Sequence, residues 1–119
     1  MPSPLVFFQL AVRDPAATRA FLDELFDWQP SEPDDRGMIQ VQPGGPGDFD
    51  VTGTLMPLVE GRQQATLFFR VADLWATVAR AEELGGSIAM SIRQPSPGGP
   101  HLAMVRTPGD ELTIGVVQE

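Results

Sequence analysis

The first part of the chain combines a strand pattern with a helix pattern. LVFFQLAV (residues 5–12) is rich in β-branched and aromatic residues and predicts a strand. Asp14 follows as a helix N-cap, and Pro15 occupies the first helical position, where its missing N–H costs little. The apolar side of the amphipathic helix predicted after it carries Phe21, Leu22, Leu25 and Phe26.

Further strands are predicted before the middle of the chain. Residues 37–42 (GMIQVQ) alternate apolar and polar positions, as a half-buried strand does. Residues 49–59 predict one or two short strands, and the stretch PGGPGD before them is rich in turn residues. Residues 60–64 are polar and form a candidate linker.

The same order of elements then begins again. Residues 65–72 predict a strand, and Asp73 caps a second helix that ends before Gly85 and Gly86. Residues 94–100 (QPSPGGP) form a loop. The remaining strands are predicted at residues 87–92, 102–106 and 111–117. The element order is therefore β-α-β-β-β, given twice.

An offset of 59 residues aligns the two halves. The identical pairs are Val12 and Val71, Asp14 and Asp73, Ala17 and Ala76, Thr18 and Thr77, Ala20 and Ala79, Glu24 and Glu83, and Leu25 and Leu84. This agreement indicates a duplicated module; the alternative is two capped helices that converged on similar residues. We predict a single α+β domain over residues 1–119, with modules at about 1–60 and 61–119.

The repeat assigns faces to the two leading strands, because side chains alternate along a strand. One face is entirely apolar and should cover the helices; it carries Phe8, Leu10, Val12, Leu67, Phe69 and Val71. The other face mixes aromatic and polar residues and carries Phe7, Gln9, Ala11, Thr66, Phe68 and Arg70. Such a mixture is typical of the wall of a ligand-binding cleft.

Composition excludes several classes of function. The chain has no cysteine, so it has neither disulfides nor thiolate metal ligands. Its net charge is −8 and no basic cluster interrupts the acidic sequence, which argues against a nucleic-acid partner. No apolar run approaches the length of a membrane span, and the N-terminus has no secretory leader pattern. We therefore expect a cytoplasmic protein that does not contact membranes.

The paired modules resemble the vicinal oxygen chelate superfamily, which includes glyoxalase I, extradiol dioxygenases and bleomycin-resistance proteins. The resemblance extends over nearly the whole chain, and the glyoxalase-like branch is the most similar. It is carried by FFQLAVRDPAATRAFLDELFDWQP, GTLMP, LFFRVADLWATVARAEELGGSI and HLAMVRTPGDELTIGVVQ. It implies that each module curls its sheet into half of an open barrel, and that two chains pair as a homodimer.

The resemblance also implies where a metal would be bound. Metal enzymes of the superfamily use four His, Gln or Glu ligands inside the barrel. The matching positions in the leading strands hold Phe7 and Thr66, or Leu67 if the register slips by one, and the final strand holds Gly115. The strand TGTLMP, which should supply the fourth, has no His, Glu or Gln. We therefore predict no metal and no cofactor.

Amide and thioether side chains are the next candidates. Gln9 lies two residues beyond Phe7 on the same face, and its amide can donate and accept without a buried charge. It would bind a neutral polar ligand, or bond to a neighbouring strand or water. Met38 and Gln40 share one side of their strand and would add an adaptable apolar contact and a second amide, although a repacked core would use the same residues.

Arg70 and His101 are the charged or titratable candidates. The Arg70 guanidinium could hold a carboxylate or phosphate, or it could pair with one of the chain's own acids. His101, the only histidine, follows a Gly-Pro loop and opens a strand, which predicts a position at the mouth of the cleft. It could serve as a general base, or it could be a partly exposed side chain without a chemical role.

These observations favour a metal-independent protein that binds a small apolar or aromatic molecule. The predicted ligand-binding residues are Phe7, Gln9, Met38, Gln40, Thr66, Phe68, Arg70 and His101, and the sequence assigns no catalytic residue. The first alternative is an enzyme of the same superfamily, a lyase, isomerase or dioxygenase type with an atypical site. The second is a structural module in which dimerisation is the function and the cleft is vestigial.

Overall fold

The computed structural model describes residues 3–28, 30–41 and 51–119. These residues form an α+β fold with two helices and seven strands. The elements are β1 (Leu5–Val12), α1 (Pro15–Phe26), β2 (Ile39–Val41), β3 (Thr52–Pro57), β4 (Gln64–Arg70), α2 (Leu74–Glu83), β5 (Ser87–Arg93), β6 (His101–Arg106) and β7 (Thr113–Gln118). Neither helix is long and apolar enough to cross a membrane.

The chain divides into two compact units. The first unit is Val6–Thr66, and the second comprises Leu67–Glu119 together with the N-terminal residues through Leu5. The N-terminal residues join the second unit beside β4, where the Arg70 N–H donates to the Pro4 carbonyl at 3.0 Å. The single domain over residues 1–119 stays a prediction.

The first unit orders its strands β2-β3-β1. β1 and β3 are parallel, with α1 in the connection between them, and β2 is antiparallel to β3. Its described residues hold two strands after the helix instead of the three predicted. The PGGPGD loop and the start of the segment predicted at 49–59 lie outside the described residues.

The second unit orders its strands β4-β7-β6-β5. β4 and β7 are parallel, whereas β6 is antiparallel to both β7 and β5. The register of β5 against β6 shifts between Ile88 and Met90, as at a β-bulge. This unit matches the predicted β-α-β-β-β order.

The two strand-to-helix corners have the same geometry. An oxygen of Asp14 accepts a hydrogen bond from the Ala17 N–H at 3.0 Å, and an oxygen of Asp73 accepts one from the Ala76 N–H at the same distance. The φ angles of the two caps are −134° and −135°. Each carboxylate satisfies a backbone donor that the first helical turn leaves without a partner, which confirms both predicted N-caps.

Each unit has its own core between its helix and one face of its sheet. In the first unit, Ile39, Val41 and Leu55 are fully buried, and Phe8, Leu10, Leu22 and Trp28 pack around them. In the second unit the buried residues are Leu74, Val78, Ala103, Val105 and Val116. The predicted helix-facing positions of Phe8, Leu10 and Val71 are therefore confirmed.

Leu67 departs from this expectation. It is 46% exposed, although its alternation places it on the apolar face of β4. The reason is the position of α2, which packs on β5, β6 and β7. Val71, which follows β4, packs against the core under this helix, whereas Leu67 lies further back along β4. The apolar pattern of β4 therefore extends beyond the area that the helix covers.

Helix α1 also covers less of its sheet than its pattern predicts. Leu22 packs on the core, but Phe21, Leu25 and Phe26 are each more than half exposed, and no residue of α1 is fully buried. The Phe26 ring lies 5.4 Å from the Trp28 ring, so part of this surface is an aromatic contact within the unit. The helix is amphipathic, and its apolar side is wider than the sheet contact that it makes.

Candidate functional site

A polar row crosses the sheet of the first unit on the face turned away from α1, called here the helix-free face. Gln40 lies opposite Thr54, and Thr54 lies opposite Gln9. Directly opposed residues project to the same face of a sheet. The Thr54 hydroxyl donates to Oε1 of Gln40 at 3.4 Å, and Thr54 is only 5% exposed. The structure thus brings two of the predicted site residues, Gln9 and Gln40, to one face through Thr54.

Core packing explains why this row faces away from the helix. Leu55 and Gly53 flank Thr54 in β3, and both belong to the side that meets Leu10 and Phe8 of β1. Because side chains alternate, Thr54 must then project to the other face. Thr54 is not among the predicted site residues, because its position between Gln9 and Gln40 depends on a register with β1 and β2 that the sequence does not specify.

The remaining predicted residues of the first unit are half-buried or buried. Phe7 lies opposite Thr52 at one end of the helix-free face. Thr66 is 1% exposed, and its hydroxyl accepts a hydrogen bond from Nε2 of Gln64 at 3.3 Å. Thr66 is therefore buried and hydrogen-bonded to a residue of its own strand.

Met38 is held in place by the turn that precedes β2. Its N–H donates to an oxygen of Asp34 at 2.9 Å, and the Arg36 N–H donates to the same oxygen at 2.8 Å. These backbone donors, Met38 first, together with the charge of Arg36, lower the pKa of Asp34 below its ordinary value of 3.8. The ionised carboxylate thus fixes the turn that brings the chain into β2.

The second unit has a different helix-free face. One cross-strand row contains Phe68, Gly115, Met104 and Met90, and the next contains Arg70, Val117, Leu102 and Arg93. The first row is entirely apolar, and its methionines are half-buried. It offers a surface that can adapt to an irregular apolar ligand.

The Phe68 ring lies directly over Gly115. A Cβ built at position 115 would overlap this ring, so the glycine is the only residue that leaves room for it. Position 115 is where the resemblance places the last metal ligand. In this chain the aromatic ring occupies the space into which that ligand side chain would project.

His101 lies on the opposite face of the sheet from this row. It opposes Gln118, whose Oε1 accepts a hydrogen bond from the Leu74 N–H at 2.7 Å at the start of α2. The His101 ring lies 5.3 Å from the ring of Trp75, in the first turn of the same helix. The structure therefore groups His101 with Trp75 and the helix, and not with Phe68.

The described residues at the metal positions that the resemblance implies do not suit a divalent metal. Within the described ranges, no group of three or more His, Cys, Asp or Glu side chains could hold an ion. At the positions implied by the resemblance, Phe7 is apolar, Thr66 is hydrogen-bonded to Gln64, and Gly115 lies under Phe68. A catalytic metal site needs about three nitrogen or oxygen ligands and an open position.

A cavity of about 330 Å³ lies within the second unit, at the C-terminal ends of β4 and β7. It is lined by Ser3, Pro4, Arg70, Val71, Ala72, Gln118 and Glu119. Arg70 is the one predicted site residue among them. Within the described part of the chain, no carboxylate lies within ion-pair distance of its guanidinium.

A family model described as a glyoxalase-like domain matches residues 6–113 of the chain. No curated protein matches the chain significantly. Because the family match extends over most of the chain, it covers both units and both repeated corners.

Solved structures show the same fold at low sequence identity. A glyoxalase/bleomycin resistance protein/dioxygenase superfamily member from Vibrio splendidus 12B01 is 18% identical, with 99% of this chain and 100% of that chain covered and a TM-score of 0.74. Methylmalonyl-CoA epimerase from Mycobacterium tuberculosis is 20% identical, with coverage of 96% and 86% and a TM-score of 0.64. A methylmalonyl-CoA epimerase from Streptomyces coelicolor, a variant in complex with 2-nitronate-propionyl-CoA, is 14% identical, with coverage of 100% and 96% and a TM-score of 0.67.

The contact between Phe68 and Gly115 is testable by a double-mutant cycle. We expect Gly115→Ala to lower the free energy of unfolding by about 1–3 kcal/mol, because the added methyl group collides with the ring. The backbone of Gly115 is not in the left-handed region, so the substitution adds no φ strain. In a Phe68→Leu background the cost should shrink. Urea unfolding of the four proteins measures both costs, and an equal cost in both backgrounds would contradict the contact.

The Asp34 turn predicts a pH dependence. A carboxylate whose pKa is lower in the folded chain stabilises the fold at pH values above its unfolded pKa, here 3.8, and this stabilisation is lost as the pH falls through the lower folded value. The stability difference between the wild type and Asp34→Ala should therefore be constant at neutral pH and shrink in this acid range. Carbon NMR of the Asp34 carboxyl checks the cause directly, and a midpoint at or above 3.8 would contradict it.

Proposed function

The chain belongs to the glyoxalase-like domain family within the vicinal oxygen chelate superfamily, and from this premise we propose that it is a metal-independent protein that binds a small apolar or aromatic molecule. The fold carries many different chemistries, so the proposal depends on the residues at the site and not on the family name.

The observation that carries the proposal is the Phe68 ring over Gly115. Metal-binding members of the superfamily place a ligand at this position. Here the glycine has no side chain, and the space above it is filled by an apolar ring. Phe68 is only 2% exposed, so a ligand on this face would contact mainly the accessible methionines of the same row.

The accessible residues of this row suit an apolar ligand. Met104 and Met90 continue the row across β6 and β5, and both are partly accessible. Thioether side chains adjust to ligands of different shape. On the helix-free face of the first unit, Gln9, Thr54 and Gln40 offer uncharged donors and acceptors that could orient a carbonyl or hydroxyl group.

The alternative is an enzyme of lyase, isomerase or dioxygenase type with an atypical site. Methylmalonyl-CoA epimerases are among the solved structures with this fold, which is the observation that favours an enzyme. Acid–base chemistry at His101 would need a substrate on the helix side of the sheet, beside Trp75. The binding hypothesis and the enzyme hypothesis therefore place the ligand on different faces.

A thermal-shift screen separates these hypotheses. We expect stabilisation by one or more aromatic compounds and no stabilisation by Ni²⁺, Zn²⁺ or Mn²⁺. A ligand that binds only the folded state at a hundredfold excess over its dissociation constant stabilises it by about 2.7 kcal/mol. Met104→Gln should weaken such binding by removing apolar contact, whereas the exposed Leu112→Gln, which lies outside both rows, serves as the control. A metal shift that EDTA reverses would favour the enzyme instead.

We also propose a homodimer, as the resemblance implies. The exposed side chains of α1, Phe21, Leu25 and Phe26, support this by supplying a contiguous apolar surface that a second copy could cover. Light scattering coupled to size exclusion should give twice the monomer mass, and Phe21→Glu combined with Leu25→Glu should give the monomer. A wild-type monomer at micromolar concentration would contradict the homodimer.

A further inference from the structure

We propose that the β5–β6 hairpin attracts the charged group of an aromatic anion whose rings lie on Met104 and Met90, called here the methionine row. This inference rests on the proposed function and deepens it, because it assigns the sign of the charge to a ligand so far described only as apolar or aromatic. The sign is opposite to the one that the net charge of −8 by itself would favour.

The β5–β6 hairpin lies in the longest stretch of the chain without an acidic residue. Residues 84–109 contain both strands and have no Asp or Glu, although the chain has 16 acidic residues. The same stretch contains Arg93 and Arg106, together with His101. With the histidine neutral, the hairpin therefore carries two positive charges in an acidic protein.

Both arginines project to the face of the sheet that carries the methionine row. Ala103 and Val105 of β6 pack in the core under α2. The residues that alternate with them, Leu102 and Arg106, therefore project to the helix-free face. Arg93 opposes Leu102 across the hairpin and so projects to the same face.

Contacts with β5 place both guanidinium groups near Met90. Nη1 of Arg93 lies 4.0 Å from Sδ of Met90. Nη1 of Arg106 donates to the carbonyl of Ile88, two residues before Met90, at 3.1 Å. Arg70 shares the cross-strand row of Arg93 but lies three strands away, about 14 Å, so one small ligand at Met90 would not contact it. The charged part of the site is thus formed by Arg93 and Arg106.

Neither guanidinium is neutralised by a carboxylate of the described residues. Four other arginines have a carboxylate within 4.0 Å: Arg19, Arg36, Arg62 and Arg80. Arg93 and Arg106 have none in the parts of the chain that the structure describes. A guanidinium has five N–H donors, so a single contact with a thioether or a backbone carbonyl leaves donors for an anion.

The local charge decides against the net charge because salt screens distant groups. At physiological ionic strength, interactions between exposed charges decay over about 8 Å. A ligand on Met90 is in contact range of Arg93, whereas the acids lie outside the hairpin. Glu83, the last acid before it, is already paired with Arg80 on α2. The arrangement therefore favours an anion at this surface.

The experiment varies the charge of the ligand on one aromatic body, using the intact protein. Calorimetric titrations are made with 1-naphthylacetate, 1-naphthylacetamide and 1-naphthylmethylammonium, which are an anion, a neutral compound and a cation. The variants are Arg93→Gln and Arg106→Gln, with Arg93→Lys as the substitution that keeps the charge. Arg80→Gln is the matched control, because it removes the same charge from an exposed position on α2.

We expect the wild type to bind 1-naphthylacetate about fivefold more tightly than 1-naphthylacetamide, which is the ratio for one solvent-exposed ion pair. The cation should bind most weakly. Arg93→Gln and Arg106→Gln should each reduce the preference for the anion, whereas Arg93→Lys and Arg80→Gln should retain it. Added salt should reduce the preference in the wild type, because it screens the arginines.

The anion site and the proposed function fail in different ways. Equal binding of the three compounds, a preference for the cation, or a preference for the anion that survives both Arg93→Gln and Arg106→Gln would overturn the anion site. In these cases the binding function stands if Met104→Gln still weakens binding. Loss of the preference in Arg80→Gln would indicate a general charge effect and would also overturn the site. If none of the three compounds binds, the anion site is contradicted, whereas the thermal-shift screen decides the proposed function independently.

Discussion

In each unit, a single helix must be packed against one face of the sheet, and this constraint assigns the strand residues to one of two faces. In the first unit, Leu22 of α1 meets the core of Ile39, Val41 and Leu55. In the second unit, Leu74 and Val78 of α2 meet Ala103, Val105 and Val116. Because strand side chains alternate, the residues between these core positions are directed to the helix-free face. The candidate sites are a consequence of that division.

In each unit a phenylalanine ring lies over a glycine, but on different faces of the sheet. Phe8 lies over Gly53 on the helix side of the first sheet, where the ring adds to the core. Phe68 lies over Gly115 on the helix-free face of the second sheet, where the ring takes the space of a metal ligand. In both pairs the glycine allows close contact because it has no Cβ. The two pairs occupy positions that the offset of 59 residues does not align.

The polar groups of the two units also differ in kind. Gln9, Thr54 and Gln40 are uncharged and both donate and accept, so they suit a neutral group. In the second unit, Arg70 lies on the helix-free face, whereas Gln118 lies on the helix side, where its Oε1 accepts from the Leu74 N–H. His101 lies on the helix side as well, opposite Gln118 and in contact with Trp75. The two units therefore offer polar groups of different kinds on their sheets.

Much of the fold could be predicted from local pattern, because caps, turns and alternation depend on nearest neighbours. The paired N-caps Asp14 and Asp73, both helices and the order of elements along the second unit were predicted in this way. The exposure of Leu67 could not be, since it depends on which strands α2 covers. The sequence by itself also determined that Phe7 and Gly115 cannot bind a metal, because neither residue has a donor side chain. Only the tertiary structure decided that Phe68 fills the space over Gly115, that Thr54 joins Gln9 to Gln40, and that Gln118 accepts a hydrogen bond from the Leu74 N–H at the start of α2. Each of these depends on the register between strands or on contacts across the unit, which alternation within one strand does not specify.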